Sequence, residues 1–138
     1  MADIIYNDFI DDVGKELHDM VNDTFYICLL DDGHTPSAAH STYADISADE
    51  LSNGNGYTTG GEVLANVSWT ETGGVVTFDA DDAQWAAANF TSRYAVIYNS
   101  SSGNRLVCLI DFLENKQASA ITFEIRFHAS GIFDAQQA

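Results

Sequence analysis

From Thr24 onward the chain is written in β-branched and aromatic runs, interrupted by clusters of Gly, Asn, Ser and Asp. That vocabulary restricts it to short antiparallel strands joined by tight turns. The runs predict strands near 24–30, 62–70, 74–79, 93–99, 105–112 and 120–127. Two reversals are written plainly. Gly73-Gly74 supplies the positive φ that a tight hairpin needs, between Trp69-Thr70-Glu71-Thr72 and Val75-Val76-Thr77-Phe78. Between Ala95-Val96-Ile97-Tyr98 and Arg105-Leu106-Val107 the cluster Asn99 to Asn104 joins two apolar runs, which are expected to pair at the centre of a sheet.

Only one segment has a helical period. Tyr6, Phe9, Ile10, Val13 and Leu17 fall on one face, with Asp8, Asp11, Asp12, Lys15 and Glu16 on the other. Asp3 is placed to cap its start. Gly14 weakens a helix interior by up to about 1 kcal/mol, so the helix should be short and docked. Six strands without helices between them exclude a parallel α/β fold. The expectation is therefore an all-β domain spanning 1–138: a small antiparallel β-sandwich or jelly-roll-like body with one short N-terminal α-helix within 1–20. Residues 31–60 stand apart. They hold the only proline, Pro36, many small polar residues and Asn53-Gly54-Asn55-Gly56. A loop that long is usually functional or bound to a partner, so contacts are expected from it and from the N-terminal segment, and its removal at 32–56 is expected to leave a folded domain.

With 138 residues, 46% of them hydrophobic and 19% charged, one proper core is feasible without a staple. Five Lys plus Arg stand against 21 Asp plus Glu, a net charge of −16. Nucleic acid and anionic lipid bind through cations, so neither is expected as a partner. Cys28 and Cys108 sit inside apolar runs and read as free core thiols. Met1-Ala2-Asp3 opens without the basic and apolar regions of a signal peptide, and synthesis in a cytoplasm is expected.

Chemistry-bearing clusters are few. Asp79, Asp81 and Asp82 offer hard oxygen ligands, but without the spaced acidic and glycine positions of a calcium loop they read as turn chemistry. His18, His34, His40 and His128 lack zinc spacing. His34 and His40 share the long loop with Ser37, Ser41 and Asp32, a set that suggests nucleophile, base and orienter, yet no Gly-x-Ser-x-Gly elbow accompanies it. The glycines form no nucleotide-binding pattern. Catalytic, cofactor and metal sites are therefore not expected. Among Tyr57, Trp69, Phe78, Trp85, Phe90, Tyr94 and Tyr98, core positions are expected for Phe78, Trp85, Phe90 and Tyr98, while an exposed aromatic would offer a face for a sugar ring. Arg93 and Arg105 are expected to pair within the fold, with Asp79 or Asp111.

Several phrases, extending over nearly the whole chain, together resemble a family of small bacteriophage virion structural proteins. They are Tyr6-Asn7-x-Phe9, Thr42-Tyr43-Ala44-Asp45-Ile46-Ser47-Ala48-Asp49-Glu50-Leu51, Gly54-Asn55-Gly56-Tyr57-Thr58-Thr59-Gly60-Gly61, Phe78-Asp79-Ala80-Asp81-Asp82-Ala83-Gln84-Trp85, Arg93-Tyr94-Ala95-Val96-Ile97-Tyr98, Ile110-Asp111-Phe112 and Ser130-Gly131-Ile132-Phe133. Glu62 and the polar tail Asp134 to Ala138 depart from the family pattern. The resemblance implies a capsid decoration, or cement, protein on the outer shell of a virion. Its partner would be the major capsid protein, and it would act as a homo-oligomer such as a trimer. A tail, baseplate or head-fibre component, or a carbohydrate-binding adhesion module, is the alternative.

Overall fold

A computed structural model describes residues 4–136, which form an all-β body of two antiparallel sheets with a single helix. Nearest the N-terminus are β1 (Ile4–Ile5) and α1 (Asn7–Gly14), followed by β2 (Phe25–Leu30), β3 (Glu62–Val63), β4 (Ser68–Thr72) and β5 (Val75–Asp79). Two long strands, β6 (Ala83–Asn99) and β7 (Arg105–Ile125), precede β8 (Phe133–Gln136). One sheet has the order β1-β7-β6-β2-β3 and the other β4-β5-β8.

Both predicted reversals are present. Thr72 pairs with Val75 across Gly73-Gly74, whose φ values of 62° and 88° are those of a primed two-residue turn. Asn99 pairs with Arg105 across residues 100–104, where Gly103 and Asn104 take φ 61° and 55°. Elsewhere the strand boundaries differ from expectation. The stretch 62–70 is two strands on different sheets, broken around Asn66, which has φ 54°. The runs at 105–112 and 120–127 belong to one strand through Ile125, and 93–99 is the end of a strand that starts at Ala83. β8 occupies most of the polar tail, because Phe133 packs on the core while its backbone pairs with β5. The helix is shorter than its apolar period: it stops at Gly14, and Glu16 turns the chain with φ 63°. Asp3, expected as its cap, lies outside the described residues, and Tyr6 takes the capping position without a side-chain bond.

The central sheet is buried on both faces. Phe25, Ile27 and Leu29 of β2 join Phe9, Phe78, Trp85, Ile97 and Ile132 in the core between the sheets. Cys28 and Leu30 point the other way, as alternation along a strand requires, and meet Tyr6, Ile46, Val96, Tyr98 and Leu109. What covers that second face is the segment 31–60. Ile46 is fully buried there, and the segment is sewn to the sheet by Leu51 N–H to Leu29 O (3.1 Å), Leu106 N–H to Ser41 O (3.0 Å) and Tyr43 N–H to Asn104 O (2.9 Å). Its anchor is Glu50. That carboxylate accepts from the hydroxyls of Tyr43 and Tyr57 and from Gly60 N–H at 2.8 Å. The expectation of a dispensable loop is corrected: it is a third layer of the domain, and deleting it would strip an apolar face.

Candidate docking surface

The residues that suggested a hydrolase are not brought together as one. His34 is buried and its Nδ1 lies 2.8 Å from Asp49, not Asp32. Asp32 accepts from Asn115 Nδ2 at 3.0 Å. Ser41 donates to Asp8 at 2.7 Å, and Ser37 accepts from Ala39 N–H at 3.2 Å. Ser41 thus ties the segment to α1, and Ser37 shapes a local turn. His40 packs against His34, with ring centroids 5.6 Å apart.

The acidic triplet is likewise used for folding. Asp79 accepts from Ala80 N–H, Asp81 from Asn66 Nδ2 at 2.6 Å, and Asp82 from Phe127 N–H at 2.8 Å. Each carboxylate faces a different partner, and no group of three or more ligating side chains converges among the described residues. Arg93 meets Asp111, with Nε–Oδ1 2.9 Å, and this contact holds the Asp111 carboxyl below its ordinary range. Arg105 instead approaches Asp12 at 3.8 Å, and neither arginine reaches Asp79. Cys28 and Cys108 are free and buried, and burial pushes both thiols far up. Of the aromatics, Phe78, Trp85 and Tyr98 are core residues and Phe90 packs partly buried beside them, as expected; Tyr57 and Tyr94 are buried too, while Trp69 reaches the surface.

The feature that the sequence did not announce is the outer half of the β6–β7 hairpin. Beyond the central sheet the two strands continue as a ribbon, bent by bulges in which Ala87, Leu113 and Ala120 take positive φ. One edge of this ribbon is met by the chain itself at one point, where Asn89 N–H donates to Asn55 O at 2.8 Å. Among the described residues the other edge has no such cover farther out: β1 pairs with β7 only at Cys108 and Leu109, and from Leu113 to Ile125 the sole described ladder partner of β7 is β6. Beside this edge lies a hollow of about 340 Å³, floored by Phe112, Ala118 and Phe123 and flanked by Lys116 and Arg126. Ile121, which lines it, is 57% exposed, and Leu113 on the same strand is 79% exposed. An unpaired sheet edge next to exposed apolar side chains is a template for an added strand. Chemically, it can offer main-chain hydrogen bonds and a shallow apolar seat.

Compared with protein-family models, with curated proteins and with solved structures, the chain matches none.

Proposed function

We propose that this chain is a non-enzymatic capsid decoration protein of a bacteriophage, and that it attaches by offering the open edge of β7 to an extended segment of the major capsid protein. The observation that carries the reading is the contrast between the two edges of the ribbon, one met by Asn55 and the other, from Leu113 to Ile125, without a ladder partner besides β6 among the described residues and carrying the exposed Leu113 and Ile121. A lone soluble domain normally blunts such an edge. The phrases resembling phage virion proteins supply the setting, and the commitment of Ser37, Ser41 and His34 to structural contacts supports binding over turnover.

The physics of a lattice suits this chemistry. A shell repeats one site many times, so modest contacts in a symmetric oligomer add through effective concentration. Ligands that bind only the assembled lattice stabilise it by mass action. A net charge of −16 keeps the protein off packaged DNA. The test is co-sedimentation of purified protein with capsids. Leu113→Asp and Ile121→Asp alter exposed side chains and should leave the melting curve unchanged while lowering capsid occupancy about tenfold or more, the loss of roughly 1.4 kcal/mol or above. Undiminished occupancy by the double variant would overturn the assignment of this edge, and imaging that places the protein on the tail would overturn the capsid reading.

A further inference from the structure

When a segment adds to a sheet edge, main-chain hydrogen bonds give affinity and side-chain pockets give specificity. The pocket at β7 is the hollow beside it. Its lining falls within 112–126, with no residue of β6 among the described ones, so the hollow lies on the side of β7 turned away from its ladder partner. The floor is apolar, with the rings of Phe112 and Phe123 set edge to face at 6.1 Å. At about 340 Å³ it is near the small end of ligand pockets, which span roughly 300–1,000 Å³, and it suits one large side chain better than a cofactor.

The charge of the lining is opposite to that of the molecule. The chain has five Lys plus Arg, and two of them, Lys116 and Arg126, line the hollow against a single lining carboxylate, Glu124. The lining is therefore net positive on a chain of net charge −16. Both cations have partners on their own strand, Lys116 Nζ with Glu114 at 2.6 Å and Arg126 with Glu124. Those pairs are open to water: the side chains of Lys116 and Glu114 are 48% and 69% exposed, and that of Arg126 is 82% exposed. Exposed ion pairs contribute little, so a carboxylate brought in by a partner can take over either cation. Carboxylates farther away than the Debye length, about 8 Å at physiological salt, are largely screened from the hollow.

We infer that the segment docking on β7 is apolar with acidic neighbours: one large aliphatic or aromatic side chain enters the hollow over Phe112 and Phe123, and flanking carboxylates pair with Lys116 and Arg126. The inference rests on the reading of β7 as the docking edge and names the chemistry of what docks there. It runs against the charge of the whole molecule, which alone would favour a basic segment.

The experiment titrates the full chain, labelled with ¹⁵N, with three blocked heptapeptides at physiological salt. They share a central Val-Leu-Val and carry Asp, Asn or Lys at the flanking positions. The Asp-flanked peptide should shift amides within 112–126 and bind about tenfold tighter than the Lys-flanked one. Lys116→Gln combined with Arg126→Gln changes exposed side chains, and it should leave the fold intact and erase that preference. Equal or tighter binding of the Lys-flanked peptide, a preference that survives in the double variant, or no shift with the Asp-flanked peptide at millimolar concentration would overturn the inference. Capsid co-sedimentation keeps the two readings apart. If Leu113→Asp and Ile121→Asp lower occupancy while the peptides bind without regard to charge, the docking edge stands and the acidic preference falls. If the peptide preference holds while occupancy is unmoved, the chemistry of the hollow stands and capsid attachment through this edge falls.

Discussion

At the scale of single residues, close approach matters more here than chemical reactivity. Gly61 holds φ 87°, and a Cβ built on it would lie 2.0 Å from Ile27 O. No side chain fits, because β2 passes directly against this turn on its way to pairing with β3. Gly14 is the opposite case: it ends the helix with nothing within 4 Å of an added Cβ. Gly61→Ala should therefore cost about 3 kcal/mol or more, combining a left-handed backbone with overpacking, whereas Gly14→Ala should stabilise by about 0.5–1 kcal/mol. Urea denaturation of the two variants checks both signs; equal stability of Gly61→Ala and the parent would refute the close contact. The Gly60-Gly61 pair was visible in the sequence only as the end of a longer phrase. Which glycine was indispensable was not, since that depends on a carbonyl more than thirty residues away.

At the scale of elements, the legible parts were those whose signal is local. The turns at Gly73-Gly74 and 100–104 and the start of β2 are written in residue types that act on their own neighbours. The ribbon was misread because Glu114 to Ser119 is polar and interrupts the apolar runs on either side, although backbone pairing carries β7 through it. Bulges at Leu113 and Ala120 also reset the alternation on which strand reading depends. The sequence also carries a second signal. Tyr26 to Leu30, Tyr94 to Tyr98 and Leu106 to Ile110 are continuous apolar runs, the pattern of strands covered on both faces. Two faces need two covers, and only 31–60 was available for the second. Removing residues 32–56 takes away Ile46 and the Glu50 anchor and exposes Cys28, Leu30, Val96 and Leu109. The truncated chain should lose its cooperative thermal transition and its near-ultraviolet dichroism. A sharp melt in that variant would show that the third layer is decoration on a self-sufficient sandwich.

For the whole molecule, electrostatics sets two opposing responses to acid. Sixteen net negative charges on 138 residues repel one another in the compact state, and protonating carboxylates relieves that repulsion. His18 works against this. Burial lowers its pKa in the folded chain, while the unfolded chain restores the ordinary value of about 6.5. Between those two values the unfolded state binds more protons, so stability contributed by neutral His18 is complete above about pH 6.5 and is lost as pH falls toward the lowered folded value. Asp111, depressed by Arg93, behaves alike but further down, its share present above the ordinary carboxylate range and lost as pH falls through the depressed value. Salt separates the opposing terms, because screening at roughly 0.5 M shortens the Debye length and removes long-range repulsion but leaves the desolvation of a buried imidazole in place. Melting temperature should rise with salt at pH 7.5 and, in high salt, fall as pH is lowered from 7 to 5. His18→Gln, which keeps a polar group beside Asn99 without a titrating ring, should flatten that fall. An equally steep decline in the variant would show that some other group carries the acid response.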